Sequence, residues 1–325
     1  MTATVTRSER ISNVASPEPG QGRSLSPSKG RKRTNRAPYF LILPAVAILL
    51  IAMGYPLIWQ IITSTQQFGL AQQFGQPAPF IGFQNYITLA TDPYMWTVIG
   101  RSLLFCAACA GVTMVIGILL ALLLNAVPKA IRIALQISLL LAWAMPVVAA
   151  MTVWNWLFNY RMGAINYLLS AIGLPFQDHN WLEDPLSFYA VALIIVVWMS
   201  VPFVAFSIYA GLTQVNGEVL EAAQMDGASP SQRFVHIIAP IIRPVLSIVL
   251  LLQVIWDLRV FTQIKLLQDA GSVASETNLL GTYIYQLGTG SSNFGLASAV
   301  SIFVLVITIV LSAFYVRSML KEDES

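Results

Sequence analysis

Six long apolar stretches, Tyr39–Thr63, Thr97–Ala126, Ile131–Phe158, Phe188–Leu212, Pro244–Leu267 and Phe294–Val316, leave this chain few folds to choose from. A helix of about 20 apolar residues crosses a hydrocarbon core of about 30 Å. Backbone N–H and C=O groups at that depth find no water, so a spanning segment must bond to itself as a helix. The expectation is an all-α membrane protein with six transmembrane helices. Composition agrees, with 56% hydrophobic and 10% charged residues, far from the usage of a water-soluble domain.

The charges set the expected orientation. Of the 18 basic residues, all but Arg101, Arg161, Arg259 and Lys265 fall before the first run, between the second run and the first residues of the third, after the fourth or after the sixth. The cluster Lys29, Arg31, Lys32, Arg33 and Arg36 abuts the first run directly. The other connections carry Asp92, Asp178, Glu183, Asp184, Asp269 and Glu276. Basic residues concentrate on cytoplasmic flanks, so both termini are expected in the cytoplasm. Residues 1–36, rich in Ser, Pro, Gly and Arg, read as a disordered basic tail, because they lack the apolar side chains needed to offset the entropy of ordering. Residues 37–320 then form the six-helix domain, and 321–325 a short cytoplasmic tail. The external connections after the first and third runs are too small for cores of their own and are expected to hold short interfacial helices.

Catalytic signatures are missing: the chain has no HExxH, no G-x-S-x-G and no phosphate-binding G-x-x-x-x-G-K-[ST]. Cys106 and Cys109 stand i, i+3 in an apolar run and read as small packing residues. His179 and His236 have no companion at ligand spacing. Polar groups within the spans are the sharper candidates, since an ionisable residue there normally faces the bundle interior or water. Gln253, Trp256, Asp257 and Val260 are spaced i, i+3, i+4, i+7, and an amide, an indole and a carboxylate on one face suit a polyhydroxylated solute. Packing between helices is the competing use of the same groups. Arg259 is two positions from Asp257 and points away from it. Asn155, near the outer end of the third run, and Trp198, inside the fourth, are further pathway candidates, although an aromatic belt also accounts for tryptophans there. Pro146 and Pro202 read as kinks.

Between the fourth and fifth runs lies a polar segment, residues 216–244, that reads as two short helices hinged at a glycine. Asn216 is a good N-cap, and Glu218 and Glu221 sit in the first turns, where the helix dipole favours carboxylates. Gly227 supplies the left-handed residue that ends the first helix. Ser229, Pro230 and Gln232 open the second as N-cap, first position and capping-box partner. Its apolar face is Phe234, Ile237, Ile238 and Ile241, before Pro240 and Pro244 kink the exit. An exposed, acidic, alanine-rich helix beside a membrane is suited to docking into a partner's groove.

The run EAAQMDGASPSQRFVHIIAPIIRP resembles the cytoplasmic signature of permeases of binding-protein-dependent ABC importers. It matches at Glu221, Ala222, Ala223, Asp226, Gly227, Ala228, Phe234, Ile237, Pro240 and Pro244. FIGFQNY at Phe80–Tyr86 and ASETNLLGTYIYQ at Ala274–Gln286 extend the resemblance toward the maltose-type first permease of the carbohydrate branch. One departure is the absence of a Thr-Gly-Gly-Pro turn after the fifth run, where this chain reads LLQDAGSVAS. The resemblance implies a type I importer permease bundle in the bacterial inner membrane, with Glu218, Glu221, Ala222, Ala223, Asp226 and Gly227 in a coupling helix. It implies a second homologous permease, two ATPase subunits that carry the ATP and Mg, and an extracytoplasmic sugar-binding protein. The cargo it implies is a disaccharide, with trehalose as the expected sugar, moved by alternating access. An ion-coupled secondary transporter is the alternative, and it would call for several buried titratable groups rather than Asp257 alone.

Overall fold

The structure, a computed structural model, describes residues 37–323; the basic tail expected over residues 1–36 lies outside them. Two compact units divide the chain, one ending at Ala52 and one beginning at Met53. Five helical stretches are long and apolar enough to cross a membrane: Leu41–Ser64, Pro93–Ala126, Pro185–Leu212, Arg243–Asp269 and Phe294–Arg317. The third run passes only as a bent pair.

The first stretch is α1 (Ala37–Leu49), a π-helical turn over Leu50–Gly54, and α2 (Tyr55–Ser64). A short amphipathic helix follows, α3 (Gln84–Thr91). Helix α4 (Pro93–Ala126) starts four residues earlier than the hydrophobic run, because Asp92 caps it by accepting from the Tyr94 amide at 2.9 Å while Pro93 takes the first position. The third run divides into α5 (Lys129–Ala144) and α6 (Val147–Leu157), bent by 98°. Pro146 does more than kink this run. Met145 is extended at ψ 127°, as residues before proline tend to be, so the helix ends and restarts. Helix α7 (Ala164–Ala171) is a short helix in the next connection.

Helix α8 (Pro185–Leu212) opens with the device seen at α4: Asp184 accepts from the Leu186 and Ser187 amides at 3.0 and 3.2 Å, ahead of Pro185. It continues unbroken through Pro202, which is buried. Helices α4 and α8 make the most extensive pair in the bundle. Their contact is a stripe of small residues on α4 that includes Cys109, Ala110, Thr113, Gly117 and Ala121, all buried. A Cβ on Gly117 would come within 2.4 Å of Val204, so the approach is possible only without one. Cys109 belongs to this seam, whereas Cys106 packs with Leu258 and Tyr283 and donates from Sγ to the Val254 carbonyl at 3.4 Å.

The polar segment supplies α9 (Gly217–Met225) and α10 (Pro230–Arg233), then a π-helical turn over Phe234–Ile238. The fifth run is α11 (Arg243–Leu258) and α12 (Thr262–Asp269), separated at Arg259–Phe261. Helix α13 (Leu280–Tyr285) precedes the last helix, α14 (Phe294–Asp323), which continues past the hydrophobic run.

Three apolar clusters hold these elements. Around Val204, Ile208, Ile242 and Val249 lies the cluster nearest the polar segment. Phe105, Phe188, Ile195 and Ile264 centre a second, and Val98, Leu280, Tyr283 and Val300 a third. Asn278, buried among them, donates to the Tyr94 hydroxyl at 2.9 Å and accepts from Gln268 at 3.2 Å, while Leu280 N–H donates to Ser102 Oγ at 2.8 Å. These bonds fasten the ASETNLLGTYIYQ segment to α4.

Candidate functional site

The hinge forms as its residues dictate. Asn216 caps α9 by accepting from the Glu218 amide at 3.0 Å. At its other end the Asp226 amide donates to Ala222 O and the Ala228 amide to Ala223 O at 2.9 Å, a closure that requires positive φ at Gly227, where φ is 82°. Ser229 and Gln232 exchange both bonds of a capping box: the Ser229 amide donates to Gln232 Oε1 at 2.8 Å and the Gln232 amide to Ser229 Oγ at 3.3 Å. Arg233 then ties the two helices by donating to Gln224 Oε1 at 3.1 Å.

Helix α9 buries no residue. Glu218, Glu221, Ala222, Asp226 and Gly227 are exposed and Ala223 is half-buried, beside Met225 at 88% exposure. Apolar Met225 and Val219 on a polar, acidic helix make a surface that can bind a partner with both basic and apolar groups. The expected apolar face of the second helix needs one correction. Ile241 is 49% exposed and Ile242 is buried in its place. The π-helical turn over Phe234–Ile238 adds a residue to the repeat and moves the face along by one.

The pathway candidates separate. Gln253 and Asp257 are one turn apart on α11 and both buried, and Gln253 Nε2 donates to both carboxylate oxygens at 2.9 Å. Gln253 Oε1 is buried with no partner among the described residues, and Asp257 has no cation within ion-pairing distance among them. Val260 lies past the end of α11 at Leu258 and so off this helix face, contrary to the expected spacing, although it too is buried. Trp256 is not: it is 47% exposed, and its ring meets Phe203 of α8 edge-on at 5.0 Å. The bundle covers the Gln253–Asp257 edge of the face and leaves the Trp256 edge open.

Trp198 of α8 is half-buried against Trp154 of α6, edge to face at 5.6 Å. Asn155, beside Trp154, holds a buried Oδ1 without a partner among the described residues. Helix α8 therefore lies between the Trp256 contact and the Trp198 contact, with Phe203 facing one and Trp198 the other.

The structure brings together two further groups. Gln60 on α2 and Arg259 after α11 line one cavity with Ser301 and Thr308 of α14. A lone amide inside the first apolar run was the available signal for Gln60. The second group is the Asn278 network with Tyr283, whose hydroxyl donates to Asp92 Oδ2 at 3.3 Å. Burial, then the Asp92 carboxylate, pushes the Tyr283 phenol up to about 12, so it remains a donor at neutral pH.

The family of binding-protein-dependent transport system inner membrane components matches the chain over residues 113–318, from the α4 seam through the hinge to the last helix. The diacetylchitobiose uptake system permease protein of Streptomyces coelicolor is 38% identical over 89% of this chain and 88% of its own length. The trehalose/maltose transport system permease protein of Thermococcus litoralis is 30% identical over 89% of this chain and 96% of its own. Among solved structures, a chain of a bacterial alginate ABC transporter, determined in complex with an alginate pentasaccharide-bound periplasmic protein, superposes with a TM-score of 0.73. It is 26% identical, and the match covers 86% of this chain and 92% of that one.

Proposed function

The chain belongs to the family of binding-protein-dependent transport system inner membrane components, and on that footing we propose that it conducts a disaccharide through its half of an importer's membrane pathway. Membership makes it a non-catalytic permease subunit of a sugar ABC importer in the inner membrane, working with a partner permease, ATPase subunits and a periplasmic binding protein. Two relatives whose names include two-ring sugars, diacetylchitobiose and trehalose or maltose, support the disaccharide reading. Trehalose, the sugar expected from the sequence, shares that class with diacetylchitobiose, and the higher identity lies with the permease for the latter.

One observation carries the mechanism. A capped helix that buries nothing, α9, is joined through Gly227 and α10 to the helix that holds Gln253 and Asp257. In this reading Glu218, Glu221 and Asp226 contact an ATPase subunit and Ala222 and Ala223 allow its close approach. Gly227 fixes the turn, and the second helix carries ATP-driven movement into α11. Gln253 Oε1 and the Asp257 carboxylate retain acceptor capacity for sugar hydroxyls once the bundle opens, and Trp256, Trp198 and Asn155 border the same route.

The test is uptake by the purified complex reconstituted into vesicles. Transport is expected to require internal ATP and the binding protein together, and a panel of diacetylchitobiose, trehalose, maltose and glucose should favour a disaccharide. Uptake driven by an ion gradient without ATP would overturn the importer mechanism, and preference for glucose would overturn the cargo class.

A further inference from the structure

We propose that the cavity around Gln60 and Arg259 is a binding site for a ligand carrying an oxyanion next to hydroxyl groups, separate from the Gln253–Asp257 pair. The cavity has a volume of about 340 Å³ and lies between α2, the end of α11, α13 and α14. A second pocket of about 410 Å³ shares Gln60, Gly281, Ile284 and Ser301 with it and adds Tyr285 and Phe261. Volumes of about 300–1,000 Å³ are those of small-molecule sites.

Arg259 is the reason for an anion. It stands inside the Arg243–Asp269 span, yet its side chain has no hydrogen-bond or ion-pair partner among the described residues. Three other basic residues in or beside the spans are engaged. Arg101 donates to Ser275 O at 3.1 Å, Lys265 pairs with Asp269, and Arg161 lies over the Tyr160 ring. Asp257, two residues from Arg259, is turned into the bundle and bound by Gln253. A guanidinium in a span is costly without a counter-charge, and its planar fork of donors matches an oxyanion. Gln60 adds an amide that is likewise unpartnered among the described residues.

Hydroxyls on the ligand follow from the opposite wall. Ser301 Oγ donates to Ala297 O at 2.9 Å and Thr308 Oγ1 to Val304 O at 2.8 Å, so each has spent its hydrogen and presents only acceptor lone pairs to the cavity. Donors on one side and acceptors on the other describe a polyhydroxylated anion. The glycerol phosphate headgroup of an anionic lipid and an acidic sugar both have this chemistry.

Binding is measured on the assembled complex without ATP, so only the acidic-sugar source rests on the transport reading. Loss of ATP-dependent uptake alongside intact binding would sink that reading and leave this one standing. One arm reconstitutes the complex in phosphatidylcholine vesicles with a quarter phosphatidylglycerol and counts retained anionic lipid by native mass spectrometry. The other titrates glycerol 3-phosphate and a glucuronic acid disaccharide onto the complex in pure phosphatidylcholine nanodiscs. In whichever arm binds, Arg259→Gln is expected to weaken binding by about tenfold or more, and Arg259→Lys by less. Equal binding by parent and Arg259→Gln, or no retention of either probe by the parent, would overturn the proposal. So would loss of the partner permease from Arg259→Gln on size-exclusion chromatography, because the missing counter-charge would then be a protein carboxylate.

Discussion

Around Gly227 every turn is closed by near neighbours in sequence: Asn216 caps Glu218, Ala228 reaches back to Ala223, and Ser229 and Gln232 cap each other. Farther along the same stretch of chain, Gln253 and Asp257 are also near neighbours, but what makes them unusual is their burial, which α4 and α8 impose from distant parts of the sequence. The hinge has a conformation of its own and exposes nearly all of its side chains. The pair has a polarity that only the bundle makes expensive. The proposed roles, docking for the first and contact with polar cargo for the second, would need these opposite arrangements, since a docking part must hold its shape at a surface and a cargo contact must be shielded from competing water.

The largest effect is expected at the turn itself. Proline fixes φ near −65°, which is incompatible with the 82° of Gly227, and alanine there would pay roughly 1–2 kcal/mol for the left-handed conformation. Gly227→Pro should abolish binding-protein-stimulated ATP hydrolysis and cut uptake by more than about tenfold, the factor that 1.4 kcal/mol represents. The bundle should still fold, because nothing in α9 is buried within it. Glu221→Ala should lower stimulated hydrolysis in the same direction by a smaller factor. Normal transport in both variants would remove the coupling role from this segment.

That contrast also decides what could be read from the residues alone. Local chemistry was legible: the caps at Asn216 and Ser229 and the left-handed Gly227 stand where their residue types place them. The same logic, Asp-Pro as cap and first position, begins α4 at Pro93 and α8 at Pro185, earlier than hydrophobicity alone suggested. Tertiary decisions were not legible. Pro146 and Pro202 look alike in sequence, but the first ends a helix that buries no residue and the second lies within a helix packed along α4. Hydrophobic periodicity assigned Trp256 to the same side as Asp257, and only the position of α8 shows which edge is covered. Arg259 and Gln60 meet because the break after α11 faces α2, which no local pattern encodes.

The buried pair should respond more moderately, and through its partner. Asp257→Ala leaves the Gln253 amide without its acceptor in a dry interior, a cost of about 1–3 kcal/mol. Asp257→Asn keeps an oxygen for Gln253 and should cost less. Uptake by the alanine variant is expected to fall by about tenfold while basal ATP hydrolysis is unchanged, which distinguishes a pathway role from lost coupling. In a double-mutant cycle with Gln253→Ala, destabilisation should be strongly non-additive, because each single change orphans the same bond. Additive losses, or undiminished uptake by Asp257→Ala and Trp256→Ala alike, would return this face to packing.

The smallest effect belongs to the cap. Asn216→Ala removes one acceptor from the start of α9, worth about 1 kcal/mol, and no tertiary contact depends on that acceptor. Amides in the first turn of Gly217–Met225 should exchange with solvent several-fold faster, while those of α4 and α8 keep their protection. Uptake should change by less than it does in Glu221→Ala, because docking against an ATPase can re-form a frayed turn. If exchange instead rose across α11 and α8 as well, the hinge would be part of the bundle's cooperative unit. The division between a locally closed device and a packed polar pair would then fail at its most sensitive point.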